Sequence, residues 1–175
     1  MEFVGNGARR LVEQALVAAG GSDDAATSDR ALAVFLARYG AHLLDTTVLY
    51  PGVGDALREL RAAGRTLSIA TNKPQAFARS IVEGLGLGQA FFAILGGDSL
   101  PTRKPDPAIV HELVARAEIP AAQTLLVGDS VVDVATARGA GVAVCAVAWG
   151  LTPAAALRAA SPDFWAERPD EIVRL

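Results

Sequence analysis

The segment Thr71-Asn72-Lys73-Pro74 places a hydroxyl and free backbone N–H groups between a short apolar run and an amphipathic one. Unpaired N–H groups and the helix dipole both favour negative charge at the start of a helix. The segment therefore predicts an anion-binding site. Thr71 and Asn72 are also good helix caps, and plain capping is the commoner use of these residues when no other signal accompanies them.

A lysine stands before a proline in Arg103-Lys104-Pro105-Asp106-Pro107. Pro105 restricts Lys104 to extended backbone geometry, which can aim its side chain in one direction. A directed ammonium group suits a phosphoryl group. A solvated lysine beside the start of a helix is the alternative, and it is favoured if this segment is considered alone.

Two aspartates, Asp129 and Asp133, occur four residues apart after the apolar run Leu-Leu-Val-Gly. With Asp129 at the end of a strand and Asp133 in the next helical turn, both carboxylates can face one point. Mg²⁺ is usually held by one or two carboxylates together with water and substrate oxygens. The pair therefore predicts a magnesium site. Capping of the helix explains Asp129 well, but it gives no reason for an acid at the ligand-binding end of a strand.

The elements that must position these groups begin at Tyr50-Pro51-Gly52, where helices start to alternate with short apolar runs. Such alternation predicts an α/β fold with parallel strands covered by helices on both faces. Ligands bind beyond the carboxyl ends of the strands in such a sheet, and each candidate group follows a predicted strand. The predicted strands are 66–70, 91–95, 124–127 and 142–147; the predicted helices are 53–63, 74–85, 106–117 and 130–138.

The segments on either side of this pattern are less regular. Residues 1–48 predict a helical hairpin without a strand, in which Gly5-Asn6-Gly7 caps the first helix and Ser22 or Asp23 caps the second. Gly20-Gly21 ends the first helix. The tail, residues 153–175, predicts a short helix and a weaker terminal element.

Composition limits the class of protein. Hydrophobic residues make up 51% and charged residues 20% of the 175 residues, so a packed core is expected. The net charge of −3 and the lack of a basic run give no support to a nucleic-acid partner. Cys145, the one cysteine, lies in an apolar run and is expected to be a buried hydrophobe. No leader pattern or membrane-length apolar run is visible, so a cytoplasmic protein without a membrane partner is expected.

Taken together, three segments resemble motifs of the haloacid dehalogenase superfamily. They are Ser-Ile-Ala-Thr-Asn-Lys-Pro, Arg-Lys-Pro-Asp-Pro and Val-Gly-Asp-Ser-Val-Val-Asp, which resemble its second, third and fourth motifs. Residues 4–10, 50–53 and 96–99 are similar to phosphoglycolate phosphatases in particular. The resemblance implies a magnesium-dependent hydrolase of a small phosphate monoester, 2-phosphoglycolate, that works through a phosphoaspartate. It also implies a helical cap, here residues 1–48, inserted into an α/β core, here residues 49–175.

The resemblance also implies roles for single residues. Thr71 and Lys104 are catalytic: Thr71 binds the transferring phosphoryl group together with the N–H of Asn72, and Lys104 neutralises charge on that group and on the nucleophile. Asp129 binds Mg²⁺, and Asp133 supports or joins that shell. Each of these residues stands at the position of the family's motif in this sequence.

A further pair, Asn6 and Arg9, is placed by the resemblance near the carboxylate end of the substrate. Asn6 belongs to the glycine-flanked turn that precedes the first predicted helix, and Arg9 lies within that helix. An arginine on such a helix is more often solvated.

One family motif is absent from the sequence. The first motif is an apolar strand ending in Asp-x-Asp-Gly, whose first aspartate attacks phosphorus, and none of the 175 residues form it. Asp23-Asp24 lies in the helical hairpin, Asp45 ends a helix and Asp98 follows the second strand. The chain is therefore expected to begin inside the cap, as a truncated or misassigned form of an active parent. The alternative is a non-catalytic remnant that binds anions or partners.

The absent strand also bears on the sheet. The family's strand order places it between the strands that end at Ala70 and Val127, so two unpaired edges are expected there. Unpaired edges favour pairing with another chain, which leaves a homodimer open.

Overall fold

The computed structural model describes residues 7–175. All helices and strands predicted from residue 50 onward are present, with bounds shifted by a few residues, and a short 3₁₀ turn (Ala121–Gln123) precedes the third strand. The elements are α1 Ala8–Ala18, α2 Ala25–Ala41, α3 Val53–Ala62, β1 Ser68–Ala70, α4 Gln75–Gly84, β2 Ala93–Leu95, α5 Ala108–Ala117, β3 Leu125–Gly128, α6 Val131–Ala140, β4 Ala143–Val147, α7 Ala154–Ala159, β5 Phe164–Ala166 and α8 Pro169–Ile172.

The strands pair in parallel, which confirms the predicted α/β class, but they form two sheets. One sheet has the order β1-β2 and the other β3-β4-β5. Ala70 pairs with Leu95 in the first sheet, and Gly128 pairs with Ala146 in the second. Within residues 7–175, β1 and β3 are therefore each bonded on one side only. Val127 of β3 is 42% exposed, so an apolar side chain remains accessible on this edge strand.

Helices cover both faces of β4. Val144 and Ala146 belong to the main core, which includes the fully buried Ile109 of α5 and Leu157 of α7. The alternate residues Cys145 and Val147 form a separate cluster with Ala166 of β5, against which Ile172 of α8 packs. Successive side chains of a strand point to opposite faces, so this division confirms that the sheet lies between two helical layers.

The single cysteine is buried, as predicted. Cys145 has 0% of its surface exposed, and burial, aided by the nearby Glu171, raises the pKa of its thiol to about 11. A thiol with a raised pKa forms little of the reactive thiolate, so Cys145 acts as a small core residue.

The α1–α2 pair forms the predicted helical hairpin, and residues 7–48 contain no strand. The predicted cap of α2 was wrong by at least one residue. Asp24, not Ser22 or Asp23, is the N-cap, and its carboxylate accepts a hydrogen bond from the N–H of Thr27 at 3.0 Å. That bond lowers the pKa of Asp24 to about 2. The predicted Gly5-Asn6 part of the first cap lies outside the described residues.

The tail holds a strand that the sequence did not predict. β5 runs parallel to β4, with Cys145 opposite Phe164. The Asp163 carboxylate accepts a hydrogen bond from the N–H of Val144 at 2.8 Å, which ties the start of β5 to β4. In the described part of the chain, no helix combines the length and the apolar character needed to cross a membrane.

Candidate functional site

A cleft of about 430 Å³ opens beyond the carboxyl ends of β1 and β3 and is also lined by residues of α1 and α2. Five of the predicted site residues, which come from three separate sequence motifs, line this one cleft. They are Thr71, Asn72, Lys104, Asp129 and Asp133.

Lys104 bridges the two sides of the gap between the sheets. Its Nζ donates to the carbonyl oxygen of Ala70, at the end of β1, at 2.8 Å and to Oδ1 of Asp133, in α6, at 2.7 Å. Its own carbonyl oxygen accepts a hydrogen bond from Nδ2 of Asn72 at 2.9 Å. A lysine ammonium has three donors, so two are used within the protein and one is left for a ligand in the cleft.

Asp133 is held from both sides. Its Oδ2 accepts from the Ser130 hydroxyl at 2.6 Å and from the Ser130 N–H at 3.2 Å, which completes a capping box at the start of α6. Its Oδ1 is the acceptor for Lys104, and only 10% of its side chain is exposed. In this arrangement Asp133 orients Lys104; its predicted part in a metal shell stays a prediction.

One carboxylate oxygen of Asp129 is available to bind a ligand or a metal ion. Its Oδ2 accepts from the N–H of Leu151 at 2.8 Å, whereas Oδ1 accepts no hydrogen bond from residues 7–175. Gly150 gives this carboxylate room, because a Cβ added at Gly150 would lie 2.0 Å from Cβ of Asp129.

The carboxylate oxygen of Asp129 that accepts no hydrogen bond from residues 7–175 fits a hard cation such as Mg²⁺. Residues 7–175 contain no group of three or more His, Cys, Asp or Glu that could hold an ion. Mg²⁺ keeps several waters and needs only one or two carboxylates when a phosphate supplies further oxygens. Among the described residues, Asp129 is therefore one that could hold Mg²⁺.

Thr71 follows β1 directly, and its N–H donates to the carbonyl oxygen of Leu95 at 3.0 Å. Its hydroxyl oxygen accepts from the N–H of Lys73 at 3.2 Å. Because the hydroxyl acts as an acceptor in this contact, it keeps its proton for donation to a ligand.

The loop that carries Thr71 and Asn72 is held in place by Gly96-Gly97-Asp98-Ser99. A Cβ on Gly97 would lie 2.5 Å from the carbonyl oxygen of Asn72, so only glycine allows this close approach. Oδ1 of Asp98 accepts from the N–H of Gln75 at 2.7 Å, and the Ser99 hydroxyl donates to Oε1 of Gln75 at 2.9 Å. Sequence reasoning gave these residues no role, because the partners lie more than 20 residues apart.

Of two other predicted residues, one lies outside the cleft lining and the other lies outside the described residues. Arg9 is absent from its lining; its guanidinium lies 2.7 Å from the Asp29 carboxylate and 3.9 Å from that of Glu13, with 47% of the side chain exposed. Asn6 lies outside the described residues. Their predicted contact with substrate stays a prediction.

Comparison with known proteins gives a family match over most of the chain. A model of the family described as "Haloacid dehalogenase-like hydrolase" matches residues 2–147. A phosphoglycolate phosphatase of Pseudomonas fluorescens is 43% identical over 153 residues, which are 85% of this chain and 55% of that protein. The phosphoglycolate phosphatase of Rhodospirillum rubrum is 44% identical over 164 residues, 90% of this chain and 68% of that protein.

The fold comparison agrees with the sequence comparison. The crystal structure of a predicted phosphoglycolate phosphatase from Haemophilus somnus has a TM-score of 0.89 and 31% identity, and the match covers 98% of this chain and 78% of that one. The chain spans a little over half the length of the first curated relatives that it matches, 55% of one and 60% of another.

Proposed function

Because the chain belongs to the haloacid dehalogenase-like hydrolase family, we propose that its cleft is the phosphoryl- and magnesium-binding part of a phosphatase site. The substrates are small phosphate monoesters, and the names of the curated relatives favour 2-phosphoglycolate. The observation that carries the proposal is the meeting of Thr71, Lys104 and Asp129 around one small cleft.

Each side chain has a definite task in this proposal. The Thr71 hydroxyl donates to a phosphoryl oxygen, and the third N–H of Lys104 donates a charge-assisted hydrogen bond to the same group. Leu11, Phe35 and Leu36 supply an apolar wall to the cleft. An apolar wall excludes water and strengthens the electrostatic contacts inside.

Asp129, together with water, would hold Mg²⁺, and the bound ion would supply positive charge to stabilise the phosphoryl oxygens. Asp133 contributes by fixing the ammonium of Lys104, so the two aspartates have different tasks.

The proposal also divides the chain into a partial cap, residues 1–48, and a core, residues 49–175, because the cleft is lined by α1 and α2 and by the loops that follow the strands.

The attacking carboxylate is not supplied by residues 7–175 in this proposal. Asp129 is assigned to the metal, and both oxygens of Asp133 already accept hydrogen bonds. Phosphoryl transfer through a phosphoaspartate needs a carboxylate in line with phosphorus. A second candidate function, an anion-binding module without turnover, is favoured by this lack of a nucleophile.

Ligand titration tests whether the cleft recognises the phosphoryl group. With Mg²⁺ present, 2-phosphoglycolate is expected to bind measurably, whereas glycolate, which lacks only the phosphoryl group, is expected to bind at least about tenfold more weakly because it loses the charge-assisted contact to Lys104. Isothermal calorimetry with both ligands provides the measurement. Equal affinity for the two would exclude phosphoryl recognition by this cleft.

Magnesium binding is expected to depend on Asp129. The chain should bind Mg²⁺ weakly, since only one carboxylate oxygen is available, and Asp129→Asn should reduce the binding further because it removes the charge and keeps the size. Asp55→Asn is a matched control, since Asp55 is an exposed acid of α3 outside the cleft lining. If calorimetry gives the same Mg²⁺ affinity for both variants, Asp129 is not the ligand.

A further inference from the structure

Lys73 is the second lysine in the lining of the cleft, and its ammonium group has surroundings different from those of Lys104. Its Nζ donates to the hydroxyl of Tyr39 and lies 4.4 Å from the centroid of that ring. Its backbone N–H donates to the Thr71 hydroxyl. Lys73 is therefore fixed at both ends, immediately beside a residue that is proposed to bind phosphate.

The charge of Lys73 is not neutralised by a carboxylate of the described residues. No acidic oxygen of residues 7–175 forms an ion pair with its Nζ within 4.0 Å, whereas Lys104 has Asp133 at 2.7 Å. The side chain is half-buried, so water screens it less than it would a fully exposed cation. A half-buried ammonium that faces a cleft without an acidic partner is suited to an anionic ligand.

Tyr39 is itself rigid, so the ammonium has a defined position. Its ring stacks on Phe35, with 5.6 Å between the centroids, and is T-shaped to the ring of Phe77 in α4, with 5.8 Å between the centroids. Two χ angles held by aromatic packing on either side leave the hydroxyl little freedom. Tyr39 thereby links α2 to the loop after β1 within the lining of the cleft.

We propose that Lys73, positioned by Tyr39, binds the second anionic group of the substrate, a carboxylate one or two atoms beyond the phosphate ester oxygen. The inference rests on the proposed function, since it assumes that the phosphoryl group lies at Thr71 and Lys104. Lys73 then makes the site selective for phosphorylated acids over phosphate monoesters whose alkyl group is uncharged. Arg9 is the competing candidate for this contact, but it is paired with Asp29 outside the lining.

A pair of matched ligands tests the proposal. 2-Phosphoglycolate and ethyl phosphate share the phosphate ester and the chain length, but only the first carries a carboxylate. With Mg²⁺ present, the unmodified chain is expected to prefer 2-phosphoglycolate by about tenfold or more, as a charge-assisted hydrogen bond implies. Lys73→Met should bring the ratio of the two dissociation constants close to one. The ratio is the informative quantity, because a general loss of anion affinity or of folded protein affects both ligands.

Three further variants separate a binding role from a structural one. Lys73→Arg should keep much of the preference because it keeps the charge, and Tyr39→Phe should lower it only partly because it keeps the aromatic packing. Arg9→Met, at the competing candidate, should lower the ratio less than Lys73→Met does. A ratio that survives Lys73→Met, or that falls with Arg9→Met instead, would overturn the proposal.

The result also separates this proposal from the one on which it rests. If ethyl phosphate and 2-phosphoglycolate bind the unmodified chain equally well, the phosphoryl site stands and the carboxylate contact of Lys73 is wrong. If neither ligand binds, both proposals fail.

Discussion

Fusing a β-strand that ends in Asp-x-Asp-Gly before Met1 is expected to switch on magnesium-dependent hydrolysis of 2-phosphoglycolate. β1 and β3 each lack a hydrogen-bonded strand on one side within residues 7–175, and Lys104 spans from the end of β1 to Asp133 beyond β3. A parallel strand between β1 and β3 would deliver its first aspartate next to Lys104 and Asp129. The rate should rise by at least about 10⁴-fold over that of the unmodified chain. Removal of a catalytic nucleophile from an enzyme lowers turnover by a factor of this size or more.

The same strand is expected to raise the free energy of unfolding. It would pair two open edges and cover Val127, an exposed apolar side chain of β3. Urea unfolding of the fused and unmodified chains gives this difference, and turnover of 2-phosphoglycolate gives the rate. Replacing the first aspartate of the added strand by asparagine is the matched control, which should keep the stability and lose the turnover.

The two candidate functions give different results in this experiment. A fused chain that is stable and binds Mg²⁺ but hydrolyses no phosphate ester would contradict the phosphatase proposal and support the anion-binding module. Hydrolysis by the unmodified chain that persists after Asp129→Ala would show that the reactive groups lie elsewhere.

Lys104→Met is expected to lower both the free energy of unfolding and the affinity for phosphate. The Lys104–Asp133 pair is mostly buried, with side-chain exposures of 12% and 10% and a separation of 2.7 Å. Removing the ammonium leaves the carboxylate buried without its charge partner, a change that typically costs about 3–5 kcal/mol. It also removes the charged donor to the phosphoryl group, so phosphate binding should be lost as well. Urea unfolding and phosphate titration measure the two effects.

A second substitution separates folding from binding. Adding Asp133→Asn to Lys104→Met removes the unpaired charge, so most of the lost stability should return while phosphate binding stays absent. If Lys104→Met leaves the free energy of unfolding unchanged, the buried Lys104–Asp133 ion pair does not stabilise the folded protein as expected. If the double variant binds phosphate as well as the unmodified chain, Lys104 is not a phosphate ligand.

The sequence was sufficient for the features that depend on local pattern. Alternation of apolar runs and amphipathic segments predicted the parallel α/β fold, and the polar residues directly after Ala70 and Gly128 predicted one edge at which Thr71, Lys104 and Asp129 meet. Parallel strands bring their carboxyl ends to a common side, and the three residues line one cleft there, while their roles stay a prediction. Residues that directly follow parallel strands can thus be identified from local sequence and are brought together although they lie far apart along the chain.

Features that depend on a distant partner, or on backbone geometry that several residue types can satisfy, could not be read from the sequence. β5 is only three residues long, and its identity comes from pairing with β4. Asp24 competes with Ser22 and Asp23 as a cap, since all are suitable residue types, and only the backbone geometry selects it. Lys73 looked like part of a helix start until the structure placed it on Tyr39, 34 residues away.

The roles proposed for Thr71, Lys104 and Asp129 predict where phosphate and Mg²⁺ bind in a crystal. Crystals of the unmodified chain soaked in Mg²⁺ and inorganic phosphate are expected to hold a phosphate within hydrogen-bond distance of the Thr71 hydroxyl and Nζ of Lys104, with Mg²⁺ between it and Asp129. An empty cleft with ordered Thr71 and Lys104, at a concentration where titration detects binding, would contradict the account.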